Sequence, residues 1–379
     1  MVMLRKTFVL SSVIAAALAQ GDDTLPDLIT LINQTHGFSY LNTYINTYPG
    51  VKDSVAGLTN ITVLAPSDTA IYEFFEDPRF ESLEAGGEAY FQTLISYHIL
   101  EGVHDNITDW LQYSTHLTSP EYTNVTGGQV VFGYYDDHGF QLGFYSGADI
   151  YANAPPLPIP FNGGIVYPIN NILNIPASLT KEVSGDYNGT SFIEALNRTG
   201  LRDEVELLKD TTFFVPNNAA FESVEQSLSE LSTEDLAKVL QYHVVPGIIA
   251  YYNTLVNGTT LTTLQGQELT VFINEEEEMF INGAGVSSVD IPVANGVVVI
   301  IDNVLNPQAS VQPPANDAEE GVPAFPTGGS GTSEGSASTT TTTTAAAAAA
   351  TFTGAAAPLK AGAASLISLV AAAAIAIVL

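Results

Sequence analysis

The sequence predicts an α+β chain whose central part is built twice, and three observations predict it. A strand-proline-cap-helix segment, a Tyr-His pair and a Gly-led hydrophobic strand occur in that order and then occur again. Each Tyr-His pair closes a stretch of helical apolar spacing, and β-rich sequence follows it. Helices followed by strands, in duplicate, make the class α+β. At roughly 100 to 200 residues per domain, 379 residues hold two ordinary domains and their tails.

At the N-terminus, Arg5 and Lys6 precede the run from Phe8 to Leu18, apolar except for Ser11 and Ser12. Ala17-Leu18-Ala19 supplies the small residues of a cleavage site, so residues 1–19 are expected to be a secretory signal peptide.

Residues 24–176 and 177–307 are expected to form the two domains. The first opens its repeated pattern with Asn60-Ile61-Thr62-Val63-Leu64-Ala65-Pro66-Ser67-Asp68-Thr69-Ala70-Ile71, the second with Asp210-Thr211-Thr212-Phe213-Phe214-Val215-Pro216-Asn217-Asn218-Ala219-Ala220-Phe221. Each reads as an apolar strand, a proline, a polar cap and the start of a helix. Phe91, Leu94, Ile95 and His98 then fall at i, i+3, i+4 and i+7, and Leu236, Val239, Leu240 and His243 repeat the spacing, with a capping-box-like start at Ser232 to Asp235. Both histidines therefore point inward. Gln129 to Tyr134, Phe140 to Tyr145, Glu268 to Asn274 and Met279 to Asn282 read as strands, the last two joined by an acidic turn. The copies close on Gly164-Ile165-Val166-Tyr167-Pro168-Ile169-Asn170-Asn171 and Gly296-Val297-Val298-Val299-Ile300-Ile301-Asp302-Asn303. Pro168 cannot donate a ladder bond, so its strand should be an edge or carry a bulge.

This trio of motifs resembles the fasciclin domain family, twice over, across roughly residues 24–307. The resemblance implies for each copy a β-sandwich-like wedge with helices packed at one end, and a role in cell-surface or matrix adhesion. It also implies a functional reading of Tyr97-His98 and Tyr242-His243 as part of a receptor-binding surface. The first copy departs from the second by a longer stretch between Gly102 and Gly164, including Pro155-Pro156-Leu157-Pro158.

Residues 308–353 shift to Pro, Gly, Ser, Thr and Ala, ending in Thr339 to Thr344 and Ala345 to Ala350. Such a composition does not offset the entropy of ordering, so a disordered stalk is expected, about 140 Å long if extended at ~3.1 Å per residue. Within it Gly331-Thr332-Ser333-Glu334-Gly335 matches a hydrolase elbow but lacks the strand and helix that motif needs. Residues 354–379 read as a GPI-attachment signal, with Gly354 as the attachment residue, a spacer from Ala357 to Ser365 and an apolar end from Leu366 to Leu379. That end is shorter than the roughly 20 residues that span a bilayer.

The 10 basic against 41 acidic side chains repel phosphate backbones, which excludes nucleic acid as a partner class. Without Arg5, Lys6 and Lys360 the balance is 7 against 41, or −34. The chain has no cysteine, so no disulfide framework or thiol nucleophile exists. His36, His98, His104, His116, His138 and His243 include no zincin-type i, i+4 pair, and only His98 and His243 recur between copies. Their place on the apolar face favours buried imidazoles satisfied by a polar neighbour such as Ser67 or Asn217. Glu275 to Glu278 lacks the alternation and central glycine of a calcium loop, and Asp136-Asp137 shows no assignable glycosidase partner. The sequence yields no catalytic constellation, metal or cofactor.

Seven sequons, at Asn33, Asn60, Asn106, Asn124, Asn188, Asn197 and Asn257, are expected glycan sites in a secreted chain, Asn60 the weakest because a core strand follows it. Trp110, Tyr113, Tyr134, Tyr135 and Tyr145 read as core or half-buried strand residues, with sugar stacking as the functional alternative. The expectation is a non-enzymatic, GPI-anchored, glycosylated adhesion or wall-organising protein at the extracellular face of the plasma membrane or in the cell wall, with the vacuole open as a destination. Its expected partners are surface or matrix glycoproteins or polysaccharides, the membrane through the lipid anchor, and weak homophilic contacts. A wall-polysaccharide binder is the first alternative and a carbohydrate-active hydrolase the second.

Overall fold

A computed structural model describes residues 25–326 except 78, 137, 186, 312, 314 and 316. The expected signal peptide, the hydrolase-elbow match, the stalk beyond residue 326 and the attachment signal with Gly354 lie outside the described residues.

In the first half, helices α1 (Leu28–Gln34), α2 (Ser39–Thr47) and α3 (Pro49–Val55) precede strand β1 (Ile61–Pro66). Ser67 accepts from the Ala70 N–H and starts α4 (Asp68–Phe74), as its place after the proline predicts. Helix α5 (Arg79–Tyr97) follows, broken at Gly87, whose φ of 55° is available to glycine at little cost. Strands β2 (Ile99–Glu101), β3 (Leu111–Ser114), β4 (Val130–Asp136), β5 (Gln141–Tyr145), β6 (Tyr151–Ala154), β7 (Ile159–Phe161) and β8 (Gly164–Ile169) complete it. They form two sheets, ordered β2-β1-β8-β7 and β3-β4-β5-β6.

The second half begins with α6 (Leu179–Val183), α7 (Thr190–Thr199) and α8 (Arg202–Leu207), then β9 (Thr211–Pro216). Helices α9 (Asn218–Ser223), α10 (Glu225–Ser229) and α11 (Thr233–Gln241) lead to β10 (Val244–Val245), β11 (Thr260–Thr262), β12 (Glu268–Ile273), β13 (Met279–Ile281), β14 (Ala284–Val293) and β15 (Gly296–Ile301). Here one sheet suffices, ordered β10-β9-β15-β14-β13-β12-β11. Register shifts in β14 between Val286, Ser288 and Ile291 bend it. Alternate residues of β9 and β15 fill two core clusters, Phe213, Val215, Val298 and Ile300 on one face and Phe214, Val299 and Ile301 on the other.

The repeat is visible in the wiring. β1 and β8 pair in parallel from Ile61 opposite Gly164, and β9 and β15 from Thr211 opposite Gly296. Thr62 donates to the Gly102 carbonyl and accepts from the His104 N–H; Thr212 does the same with Ile248 and Ala250. Burial of these strands is nearly complete, and each fully buried large apolar side chain contributes about 1.5–3 kcal/mol.

Two expectations need correction. β8 is neither an edge nor bulged, since it lies between β1 and β7 with unbroken register to β1. The Ser67 N–H donates to the Ile169 carbonyl and the Ile61 N–H to that of Gly163, so odd-numbered β8 residues face β1 and Pro168 faces β7. The β7 ladder reaches only to Val166, which leaves the missing donor on an unpaired side. The second correction concerns residues 308–326, expected to begin the stalk. The described residues from Gly321 to Pro326 fold back on the second half. The Gly321 N–H donates to Asp302, the Val322 N–H to the Gly283 carbonyl, Ser227 to the Pro326 carbonyl, and Phe325 is buried in the core. Averaging composition over a long polar stretch hid one large apolar anchor. No helix among the described residues is long and apolar enough to cross a membrane.

Candidate functional site

The recurring Tyr-His pairs sit where helix passes into strand. His98 directly follows α5 and His243 follows α11 after Tyr242; they are 2% and 0% exposed. Their Nδ1 atoms lie 2.8 and 2.7 Å from the Leu94 and Val239 carbonyls four residues back. Their Nε2 atoms accept from the Leu173 and Leu305 N–H groups at 3.0 and 2.9 Å. Because Nε2 accepts, Nδ1 carries the proton, and each imidazole is a neutral brace between a helix end and the segment after the last strand. The partners are backbone groups rather than Ser67 and Asn217, whose side chains cap α4 and α9 instead. Burial lowers the His243 pKa to about 4 against a smaller opposing contribution from the Val239 carbonyl. Tyr97 and Tyr242 are also buried and donate their hydroxyls to the Val130 and Glu268 carbonyls. None of the four side chains reaches solvent as a contact surface.

The acidic candidates are turn-forming. Glu275 to Glu278 joins β12 to β13, where the Asn274 side chain accepts from the Glu276 and Glu278 N–H groups. Asp136 ends β4 and accepts from the exposed His138 N–H; Asp137 lies outside the described residues. Among the described residues no group of three or more His, Asp and Glu is placed to hold a metal ion.

The sequons separate by structure. Asn33, Asn60, Asn106, Asn188, Asn197 and Asn257 are exposed, Asn60 at a left-handed φ of 57° immediately before β1. Asn124 is different, because its Nδ2 donates to the Leu207 and Leu208 carbonyls of the other half.

Asn124 belongs to a seam between the halves that sequence reasoning missed. The Thr126 N–H and hydroxyl donate to Asp210 at 2.6 and 2.5 Å, and Gln129 Nε2 donates to the Val293 carbonyl at 3.0 Å. Trp110 donates its indole N–H to Asp290, which also accepts from the Tyr252 N–H. Burial pushes the Asp290 carboxyl up, and those two donors oppose the shift. Phe132 meets Tyr251 edge to face at 5.7 Å. Glu182 of α6, also pushed up by burial, accepts from Ala148 and Ala177 and ties the linker to the first half.

From that seam an aromatic row runs over the sheet β3-β4-β5-β6. Tyr134, Tyr145 and Trp110 share its outward face with Tyr151, all half-buried. Tyr113 faces the opposite way into the first core, and Tyr135 packs against that core. Tyr151 was legible in principle, since Tyr151-Ala152-Asn153-Ala154 alternates large and small.

A family model described as "Fasciclin domain" matches residues 188–307. Protein sll1483 of Synechocystis is 30% identical over 135 residues, covering 34% of this chain and 73% of that protein. The chain belongs to the fasciclin-domain family. The first half, outside the matched range, carries the same strand register, threonine bridge and histidine brace as the fasciclin domain at 188–307. A fasciclin-like arabinogalactan protein of Arthroderma benhamiae is 27% identical over 299 residues, 78% of this chain and 70% of that protein. Another, from Phaeosphaeria nodorum, is 28% identical over 286 residues, 73% of this chain and 88% of that protein. A FAS1 domain pair from the insect cell adhesion molecule fasciclin I aligns at a TM-score of 0.35 with 16% identity, over 71% of this chain and 97% of that one. The role is that of a fasciclin-type, surface- or wall-associated protein.

Proposed function

We propose that this fasciclin protein mediates adhesion or organises the matrix or wall outside the cell, without a reactive centre, on a stalk whose GPI anchor is attached at Gly354. The observation that carries the reading is the occupation of both nitrogens of each recurring imidazole by backbone groups, which leaves the residues repeated between halves to architecture. Similarity to fasciclin-like arabinogalactan proteins supports the wall or the outer plasma-membrane face as the destination, with the vacuole as the other stop on the secretory route. The seam joins the halves, so they present one composite surface to glycoprotein, polysaccharide or homophilic partners. Six exposed sequons supply the glycan coat.

Aggregation of intact cells with and without the protein tests the adhesive reading, and unchanged aggregation on deletion contradicts it. Phosphatidylinositol-specific phospholipase should release the protein from intact cells; retention after a competent digestion contradicts the anchor. The second reading, binding of wall polysaccharide, is favoured by the half-buried aromatic row.

A further inference from the structure

We propose that the outward face of the sheet β3-β4-β5-β6 is a platform for a neutral polysaccharide, with Tyr134, Tyr145 and Tyr151 as its stacking rings and Trp110 at its seam end. The inference rests on the reading of a surface- or wall-associated protein and names a partner class for it.

Strand alternation builds the platform. Tyr113, Val131, Leu142, Phe144, Ala152 and Ala154 point into the first core, so their neighbours point out. Register then sets Tyr134 opposite Gly143, and Tyr145 opposite Tyr151. Ring centroids are 5.1 Å apart for Trp110 and Tyr145, 5.0 Å for Tyr145 and Tyr151, and 6.4 Å for Tyr134 and Tyr151. The Tyr134 and Tyr151 planes differ by 29°. Gly143 permits this layout, because a Cβ there would stand 2.5 Å from the Tyr134 ring and 2.8 Å from the Tyr151 ring. The rings therefore lie down across the sheet instead of standing up from it.

Faces of this kind suit a pyranose polymer. An aromatic face is electron-rich and attracts the polarised C–H groups of a sugar. The Tyr134 hydroxyl donates to that of Tyr151 and the Tyr151 hydroxyl to the Asn153 side-chain oxygen, which fixes these rings in place, while the Tyr145 phenol and the rim residues Gln141 and Asp136 offer hydrogen bonds. Burial pushes the Tyr145 phenol up to about 12, so it stays a neutral donor at any working pH. Charge selects among partners. The 41 acidic against 10 basic residues repel a polyanion. No sequon falls between Asn124 and Asn188, so β4, β5 and β6 carry no glycan of their own.

Trp110 is the only tryptophan in the chain, so its emission reports on this face without a label. The purified full chain is titrated with a soluble linear β-glucan, a mannan, an arabinogalactan and, as the anionic arm, polygalacturonate, and its migration is followed in native gels containing each polymer. At least one neutral polymer should retard the chain and shift Trp110 emission. Tyr145→Ala with Tyr151→Ala should weaken that association about tenfold or more, while Tyr145→Phe with Tyr151→Phe stays within about threefold. A second variant leaves the rings untouched: Asp136→Asn with His138→Thr places a glycan beside the platform and should abolish retardation when the chain is secreted glycosylated. The inference is overturned if no neutral polymer binds, if polygalacturonate alone binds, or if both the folded alanine variant and the glycan variant bind as the unaltered chain does. Cell aggregation that needs the chain but ignores both variants supports the adhesive reading through another surface, and the polymer titration alone then decides the platform. Polymer binding without any effect of deletion on aggregation supports the platform and removes the adhesive reading.

Discussion

The Trp110 indole N–H donates to the Asp290 carboxylate at 2.8 Å, joining the two halves across 180 positions of sequence. The carboxylate is mostly buried and its other oxygen accepts from Tyr252, so the pair seals the seam at the point where the aromatic row begins. An Asp pKa raised by burial makes folding more favourable in acid, and that contribution is lost as pH rises through the folded-state value.

Trp110→Phe removes one of the donors that hold Asp290 down. The substitution should cost about 1–3 kcal/mol at neutral pH, the usual penalty for orphaning a buried acceptor. Acidification protonates Asp290 and should shrink that penalty. Urea unfolding of both forms at pH 7 and pH 4 checks the direction; a penalty that grows in acid contradicts it.

His243 titrates the other way. Its folded pKa of about 4 lies below the unfolded value of ~6.5, so the unfolded chain takes up the proton first. The stabilisation is present above about pH 6.5 and is lost between there and about pH 4, on the order of 3 kcal/mol in all. His243→Gln should flatten that part of the curve of melting temperature against pH. An unchanged slope would show that another group produces it.

Asn124 should stay unglycosylated although it heads a valid sequon, because its Nδ2 is committed to the Leu207 and Leu208 carbonyls. Glycopeptide mass spectrometry of the secreted protein should find glycans among Asn33, Asn60, Asn106, Asn188, Asn197 and Asn257 and none at Asn124. Full occupancy at Asn124 contradicts the seam.

Gly164 and Gly296 lead the last strand of each half. A Cβ would stand 1.9 Å from the Ile61 carbonyl oxygen at the first and 1.8 Å from that of Thr211 at the second. Gly164→Ala and Gly296→Ala should each destabilise by several kcal/mol, since backbone must move to admit the methyl. Calorimetry showing either variant within about 0.5 kcal/mol of the unaltered protein rejects the equivalence of these positions.

The same glycines show what the sequence made legible. Gly-led hydrophobic strands, capped helix starts and Tyr-His pairs are local signals with local causes, so they located β1, β8, β9, β15 and the burial of the two imidazoles, though not the backbone groups that hold them. The strand from Gln129 and the acidic turn at Glu275 to Glu278 followed from alternation and turn composition in the same way. The seam was not legible. Asp290 and Trp110 carry no mutual signal in sequence, and only the folded β14 brings Asp290 beside Tyr252 and the Trp110 indole. Nor does composition reveal that Phe325 anchors its segment to the second half, because a single side chain decides it.

The central claim is that His98 and His243 serve architecture while the exposed surface serves recognition. Its most direct test is adhesion of cells displaying His243→Gln, measured over a range of temperature beside thermal melting of the same protein. Adhesion should track the folded fraction and match the unaltered protein wherever the variant is folded. A variant that melts normally yet fails to adhere would make the imidazole a contact group and contradict the account.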